Sequence, residues 1–155
     1  MKNRIRYMGG IICGSSSIDQ GTQNLSAFNF IDQVTADIKS TDPIKTTKSL
    51  EKITIPFSFQ VISLWKRSNV SDFGTEIKGT AIIEEIDPQG KILQTIPVEF
   101  LIPVTAIRAR HILKVQGMMV STTGEYCFQF REVDEKGERS EPIAKLCFDV
   151  VLNKS

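Results

Sequence analysis

One histidine, His111, and three cysteines, Cys13, Cys127 and Cys147, are the side chains of this 155-residue chain best suited to nucleophilic or metal chemistry. A Ser-His-Asp or Cys-His catalyst would have to use His111 and orient it with a carboxylate. By the two-residue period of a strand, His111 shares a face with Leu113 and Val115, which reads as a half-buried histidine rather than a free base. A zinc centre needs further ligands, and the chain has neither a second histidine nor a C-x-x-C pair. Glu84 and Glu85 are adjacent on an expected strand and must face opposite ways, so they cannot act as a pair. Glu132, Asp134 and Glu135 stand in a turn with Arg131, Lys136 and Arg139, where mutual neutralisation is expected. Four loop aspartates, Asp19, Asp32, Asp72 and Asp87, could converge at one end of a β-sandwich around calcium, but the dense D-x-D patterning of calcium loops is missing. The hydroxyl-rich stretch from Gly14 to Gly21 reads as a surface loop, because a phosphate-binding P-loop needs Lys-Ser/Thr after its last glycine and Thr22-Gln23 follow here. No residue is therefore assigned to catalysis, to a cofactor or to a metal, and the chain is expected not to be an enzyme.

Arg108, Arg110 and Lys114 alternate along one strand face and form a basic stripe. Three charges without interleaved aromatics do not make a nucleic-acid site, and the net charge of +1 gives no overall electrostatic attraction to nucleic acid or anionic lipid. A solvated strand face is the expectation. Trp65, the lone tryptophan, is expected in the core with its N–H bonded rather than on a ligand platform.

The elements that would position these groups are strands. The first spans about 4–13 and is interrupted by Gly9-Gly10, a mark of a bulge or of close backbone approach. A second spans 24–34, with room for a helical turn at 32–38. Residues 35–52, rich in threonine and lysine, read as a long crossover between sheets. A third strand begins at Ile53; Pro56 requires an edge or a bulge, and the change of apolar parity at Val61–Ser63 suggests a bulge there. Strands at 75–86 and 91–102 flank Asp87-Pro88-Gln89-Gly90, a strong β-turn, and a sixth covers about 107–120. The clearest signal is last: Tyr126, Phe128 and Phe130, then Ala144, Leu146, Phe148, Val150 and Leu152, alternate on either side of a charged turn and predict a hairpin. About eight strands without a convincing helix predict one all-β domain over 1–155.

Thr122-x-Gly124-x-Tyr126-x-Phe128 resembles the corner before the penultimate strand of immunoglobulin domains, where a tyrosine two residues before the inward cysteine bonds back to the corner backbone. Phe128 stands where that cysteine would be, so the inter-sheet disulfide of that family cannot form. The implied fold is an immunoglobulin-like antiparallel β-sandwich. Ile12-Cys13, Asp19, Leu25-Ser26-Ala27-Phe28, the 87–90 turn and Gly124-Glu125-Tyr126-Cys127-Phe128 together resemble a family of uncharacterised bacterial single-domain β-sandwich proteins, mostly cytoplasmic, from which the 35–52 insertion departs. That resemblance implies a compact sandwich with no catalytic residues to carry over.

If Phe128 faces Leu146 and Tyr126 faces Phe148, Cys127 and Cys147 are directly opposed on the face away from the aromatic core, within disulfide reach. Adjacency without a permanent bond is expected, because the apolar run from Met8 to Cys13 is too short for a secretion signal and the cytoplasm is then the default compartment. No segment approaches a membrane helix. The expected function is a non-catalytic binding or assembly module, its partner another protein rather than nucleic acid, membrane or carbohydrate, since most phenylalanines fall at core-type positions. The rivals are a structural subunit, virion or secreted, that oligomerises through an edge strand, and an enzyme using His111.

Overall fold

A computed structural model describes residues 4–38 and 53–154. Nine strands occur among them: β1 (Ile5–Ile18), β2 (Leu25–Phe30), β3 (Gln33–Ile38), β4 (Ile53–Arg67), β5 (Ile77–Ile86), β6 (Ile92–Ile102), β7 (Arg108–Val120), β8 (Gly124–Val133) and β9 (Ala144–Lys154). A four-stranded sheet in the order β2-β1-β4-β7 faces a five-stranded sheet in the order β3-β9-β8-β5-β6. The chain is an immunoglobulin-like β-sandwich, with the β5–β6 and β8–β9 hairpins in one sheet and the β4–β7 pair in the other. Two details differ from expectation. There is one strand more than expected, and β3 pairs parallel with β9, so the larger sheet is mixed. No helix among the described residues is long and apolar enough to cross a membrane.

The extra strand comes from a sheet switch. The backbone N–H of Ile31 still donates to Ile12 in the smaller sheet, whereas the carbonyl of Asp32 already accepts from Asp149 in the larger. The single strand expected over 24–34 is thus cut at Ile31-Asp32, and 33–38 is strand rather than helical turn. Residues 39–52, most of the expected crossover, lie outside the described residues.

The core is the inner faces of both sheets. Phe59 meets Phe128 and Phe148 edge to face, and Trp65 stacks on Phe100 at 5.1 Å. Phe100 reaches Trp65 across Gly79, where a Cβ would stand 2.5 Å from the ring. Trp65 Nε1 donates to Ser63 Oγ at 2.9 Å, so the tryptophan is a satisfied core residue. The closing hairpin has the register expected of it: Phe128 opposite Leu146 and Tyr126 opposite Phe148. The Tyr126 hydroxyl accepts from the N–H of Ser121 (3.0 Å) and Thr122 (3.2 Å) and donates to the Thr122 carbonyl (2.9 Å), which makes it a tyrosine corner. Cys127 and Cys147 are not merely adjacent. Their sulfurs are bonded at 2.08 Å with the Cα atoms 4.1 Å apart, on the outer face of β8–β9.

Bulges fall where glycine and proline allow them. The β4–β7 register shifts between Ile55 and Ser58, around Pro56. The β1–β4 register shifts between Tyr7 and Gly9. No register shift falls at Val61–Ser63. Val61 points into the core and Ile62 away from it, and both are fully buried because each face of β4 is covered at that point. What covers the outer face is the β1–β2 hairpin. β1 continues through Gly14–Ile18 as strand rather than loop and pairs with β2. Ser16 Oγ then bonds Gln60 Oε1, and Arg110 Nη2 donates to the Gln23 carbonyl at 2.6 Å. These contacts lay the hairpin back across the outer face of its own sheet.

Candidate functional site

The outer face of β1-β4-β7 is built in rows by the register. Arg6 stands opposite Lys66 and Lys66 opposite Arg108. The next row is Gly9, Leu64 and Arg110, then Ile11, Ile62 and Ile112, then Cys13, Gln60 and Lys114. Like charges directly opposed on neighbouring strands cost a few tenths to about 1 kcal/mol per pair. No acid among the described residues is seen paired with this row; the Arg131–Glu84 ion pair lies on the other sheet.

Beside the cations lies a groove of about 700 Å³. Met8, Ile18, Leu64, Leu101, Pro103 and Ile112 give it apolar walls, with Arg108 and Arg110 on its lining. One wall, the β6–β7 connection, is pinned from beneath by Arg67. This side chain is only 1% exposed, and it donates to the carbonyls of Ala106 (2.7 Å), Asp72 (2.7 Å) and Pro103 (2.6 Å). A buried guanidinium bonded to two carbonyls of this connection and to that of Asp72, before β5, ties together two segments that have no ladder of their own.

Apart from the bonded Cys127–Cys147 pair, the residues singled out for chemistry are not brought together. His111 faces inward opposite Ser63, on the same face as Leu113 and Val115. Burial lowers its pKa, and its buried Nδ1 has no hydrogen-bond partner among the described residues. Cys13 is fully buried on the opposite face of the same sheet, under the hairpin, and burial raises its thiol pKa. A Cys13–His111 dyad is therefore excluded by the sheet between them. Glu84 and Glu85 do face opposite ways: Glu85 turns inward and accepts from Gln94, Glu84 turns outward. Glu84 accepts from Gln129 (2.8 Å) and Arg131 (2.9 Å). The neutralisation expected inside the 131–141 turn is thus replaced, for Arg131, by a pair across the sheet. Asp134 caps that turn, accepting from the N–H of Lys136 and Glu138.

The loop aspartates do not converge. Asp72 precedes β5 and Asp87 follows it, so a whole strand separates them. Asp19 and Asp87 are spent on their own turns: Asp19 accepts from Thr22 N and Oγ1, which lowers its pKa, and Asp87 accepts from the N–H of Gln89 and Lys91.

Of the row Arg6–Lys66–Arg108 the sequence pattern singled out Arg108, which it grouped with Arg110 and Lys114 of the neighbouring rows, and missed Arg6 and Lys66. The only signal that could have found them is strand order, since 60 and 42 residues of chain separate Arg6 from Lys66 and Lys66 from Arg108. No protein-family model matches this chain, and no curated protein matches it.

Proposed function

We propose that this protein is a non-catalytic binding module that takes an acidic, partly apolar segment of another protein on the outer face of β1-β4-β7. The observation that carries the reading is the Arg6–Lys66–Arg108 row, three cations in register without a counter-charge among the described residues, beside an apolar groove. Repulsion within the row is relieved by a partner that supplies carboxylates, and the groove takes the apolar side chains between them. The flat row offers no aromatic platform for bases, which favours an acidic peptide over single-stranded nucleic acid. The cytoplasm is the compartment proposed, where the Cys127–Cys147 bond is expected to open, and His111 has no carboxylate bonded to it among the described residues.

The test is fluorescence anisotropy of a labelled peptide alternating glutamate and leucine. The wild type binds it with an affinity that falls as salt rises. The double variant Lys66→Glu/Arg108→Glu binds at least tenfold more weakly, and Lys145→Glu on the other sheet leaves binding unchanged. Equal binding by the double variant, or tighter binding of a single-stranded oligonucleotide than of the peptide, defeats the reading.

A second reading is favoured by one feature. Edge strand β2 exposes Phe28 (51%) and Phe30 (68%), and an unpaired apolar edge can add a strand from another copy. Light scattering decides: a monomer at high concentration removes it.

A further inference from the structure

We propose that the outer face of the β8–β9 hairpin is a redox-gated site for a thiophilic divalent cation such as Zn²⁺, held by Cys127, Cys147 and Glu125, with Asp149 adding negative charge in the next row. Two neighbouring rows of the hairpin carry these groups: Glu125 opposite Asp149, and Cys127 opposite Cys147. The donor atoms of Glu125, Cys127 and Cys147 all lie within 4.8 Å of one another. A tetrahedral zinc with sulfur at about 2.3 Å and oxygen at about 2.1 Å sets its ligand atoms roughly 3.5–3.8 Å apart. Cys127 Sγ and Glu125 Oε1 already stand at 3.8 Å.

What keeps a metal out is the covalent bond between the two sulfurs. Breaking that bond lets the two side chains turn apart while the backbones stay paired. Cys147 is exposed, so a reductant can reach it. The second, independent feature is the acidic row. Glu125 and Asp149 are directly opposed like charges, and neither has an ion pair among the described residues. Such a pair attracts a cation; Glu125 supplies the third ligand, and the Asp149 carboxylate, outside the 4.8 Å group, adds to the negative field. Lys145, opposite Gln129, is one row beyond the cysteines, and its charge favours the thiolate form.

The chemistry balances as follows. A dithiol gives two electrons, the S–S bond breaks, each sulfur takes a proton, and the dithiol closes its own disulfide. Zn²⁺ then displaces the two thiol protons and binds both sulfurs. A small-molecule disulfide reverses the sequence by accepting two electrons as the Cys127–Cys147 bond re-forms and the cation leaves. The C-x-x-C spacing by which zinc sites are read from sequence is absent because the donors come from two strands, 20 residues apart at the cysteines.

The experiment is a Co²⁺ titration of the full chain, reduced and then desalted without oxygen, against the oxidised chain. The reduced chain takes up one Co²⁺ with a thiolate-to-cobalt absorption band, and Zn²⁺ displaces it. The oxidised chain shows no band. Glu125→Gln and Asp149→Asn, both at exposed positions, each weaken Co²⁺ binding by about tenfold or more, and Cys147→Ser diminishes the band. Equal uptake by the oxidised chain, a reduced chain without the band, or carboxylate variants that bind as well as wild type each overturn the proposal. So does a reduced chain that unfolds and is not refolded by Zn²⁺. The cationic row on the opposite sheet plays no part, so peptide binding there can fail without touching this result.

Discussion

Replacing Arg67 with methionine should destabilise the domain strongly, and the size of the effect can be worked from the contacts. The guanidinium makes three short bonds to the carbonyls of Ala106, Asp72 and Pro103. Hydrogen bonds from a charged donor contribute about 1.5–3 kcal/mol each, so the three together are worth about 4.5–9 kcal/mol. Desolvating the guanidinium takes back several kcal/mol. Methionine keeps the packing of the stem, and the Pro103 and Asp72 carbonyls keep the N–H groups of Ala106 and Thr75, but the Ala106 carbonyl loses its side-chain donor. The orphaned Ala106 carbonyl costs about 1–3 kcal/mol, and the net worth of the other two lost bonds brings the total to about 4 kcal/mol. With an unfolding entropy of about 2.1 cal/mol/K per residue over 155 residues, a loss of about 4 kcal/mol lowers Tm by roughly 12 °C. Urea denaturation followed by the fluorescence of Trp65, the lone and fully buried tryptophan, reads this directly. Arg67→Lys keeps the charge but not the fork, and should recover less than half of the loss. Because Pro103 and Ala106 line the groove, the methionine variant should also bind the acidic peptide more weakly at temperatures where it is still folded. A methionine variant within about 1 kcal/mol of wild type would refute the pinning argument.

Tyr126→Phe removes one hydroxyl that serves two N–H groups and one carbonyl at the corner, and should cost about 2 kcal/mol in the same urea assay. Glu84 gives a pH dependence. Burial pushes its carboxyl pKa up, but the bonds from Arg131 and Gln129 and the charges of Arg131 and Arg139 outweigh this and leave it below the ordinary 4.5. A depressed carboxylate stabilises the fold fully above its unfolded value and loses that contribution as pH falls through its folded value. The stability difference between wild type and Glu84→Gln should thus be constant above about pH 5 and shrink below 4.5, as urea midpoints from neutral to acid pH will record. A difference that grows on acidification contradicts the assignment.

The parts of this fold that were legible in the sequence are those with local causes. The β8–β9 register follows from two amphipathic runs around one turn, and it carried the position of the disulfide with it. Whether the two sulfurs bond was not legible, because that inference rested on compartment rather than geometry. The sheet switch at Ile31-Asp32 left no local mark. Neither residue breaks a strand, and the change of partner is set by Ile12 on one side and Asp149 on the other. Ile62 misled for a related reason. Two buried neighbours on a strand read as a parity slip, yet here the second is buried by a hairpin folded over from elsewhere in the chain.

The candidate face turns on one residue whose effect could not be assigned in advance. Gly9-Gly10 was legible as a bulge or a close approach, and it is both. A Cβ on Gly10 would stand 2.7 Å from the Ile62 carbonyl and 2.9 Å from Leu146, and Met8 is the residue passed over between the Gly9–Leu64 and Tyr7–Trp65 pairs. A regular ladder continued from Gly9–Leu64 would set Met8 opposite Trp65, Tyr7 opposite Lys66 and Arg6 opposite Arg67. Tyr7 would then point outward, and Arg6 would face the core. The one-residue bulge exchanges those faces, since a shift of one residue turns every later side chain over. Tyr7 goes inward, 5.3 Å from Trp65 and 5.2 Å from Phe130, where burial pushes its phenol up to about 12. Arg6 goes outward to complete the row with Lys66 and Arg108. The same bulge thus packs an aromatic residue into the core and puts the third cation on the binding face, and a ladder without it could do neither.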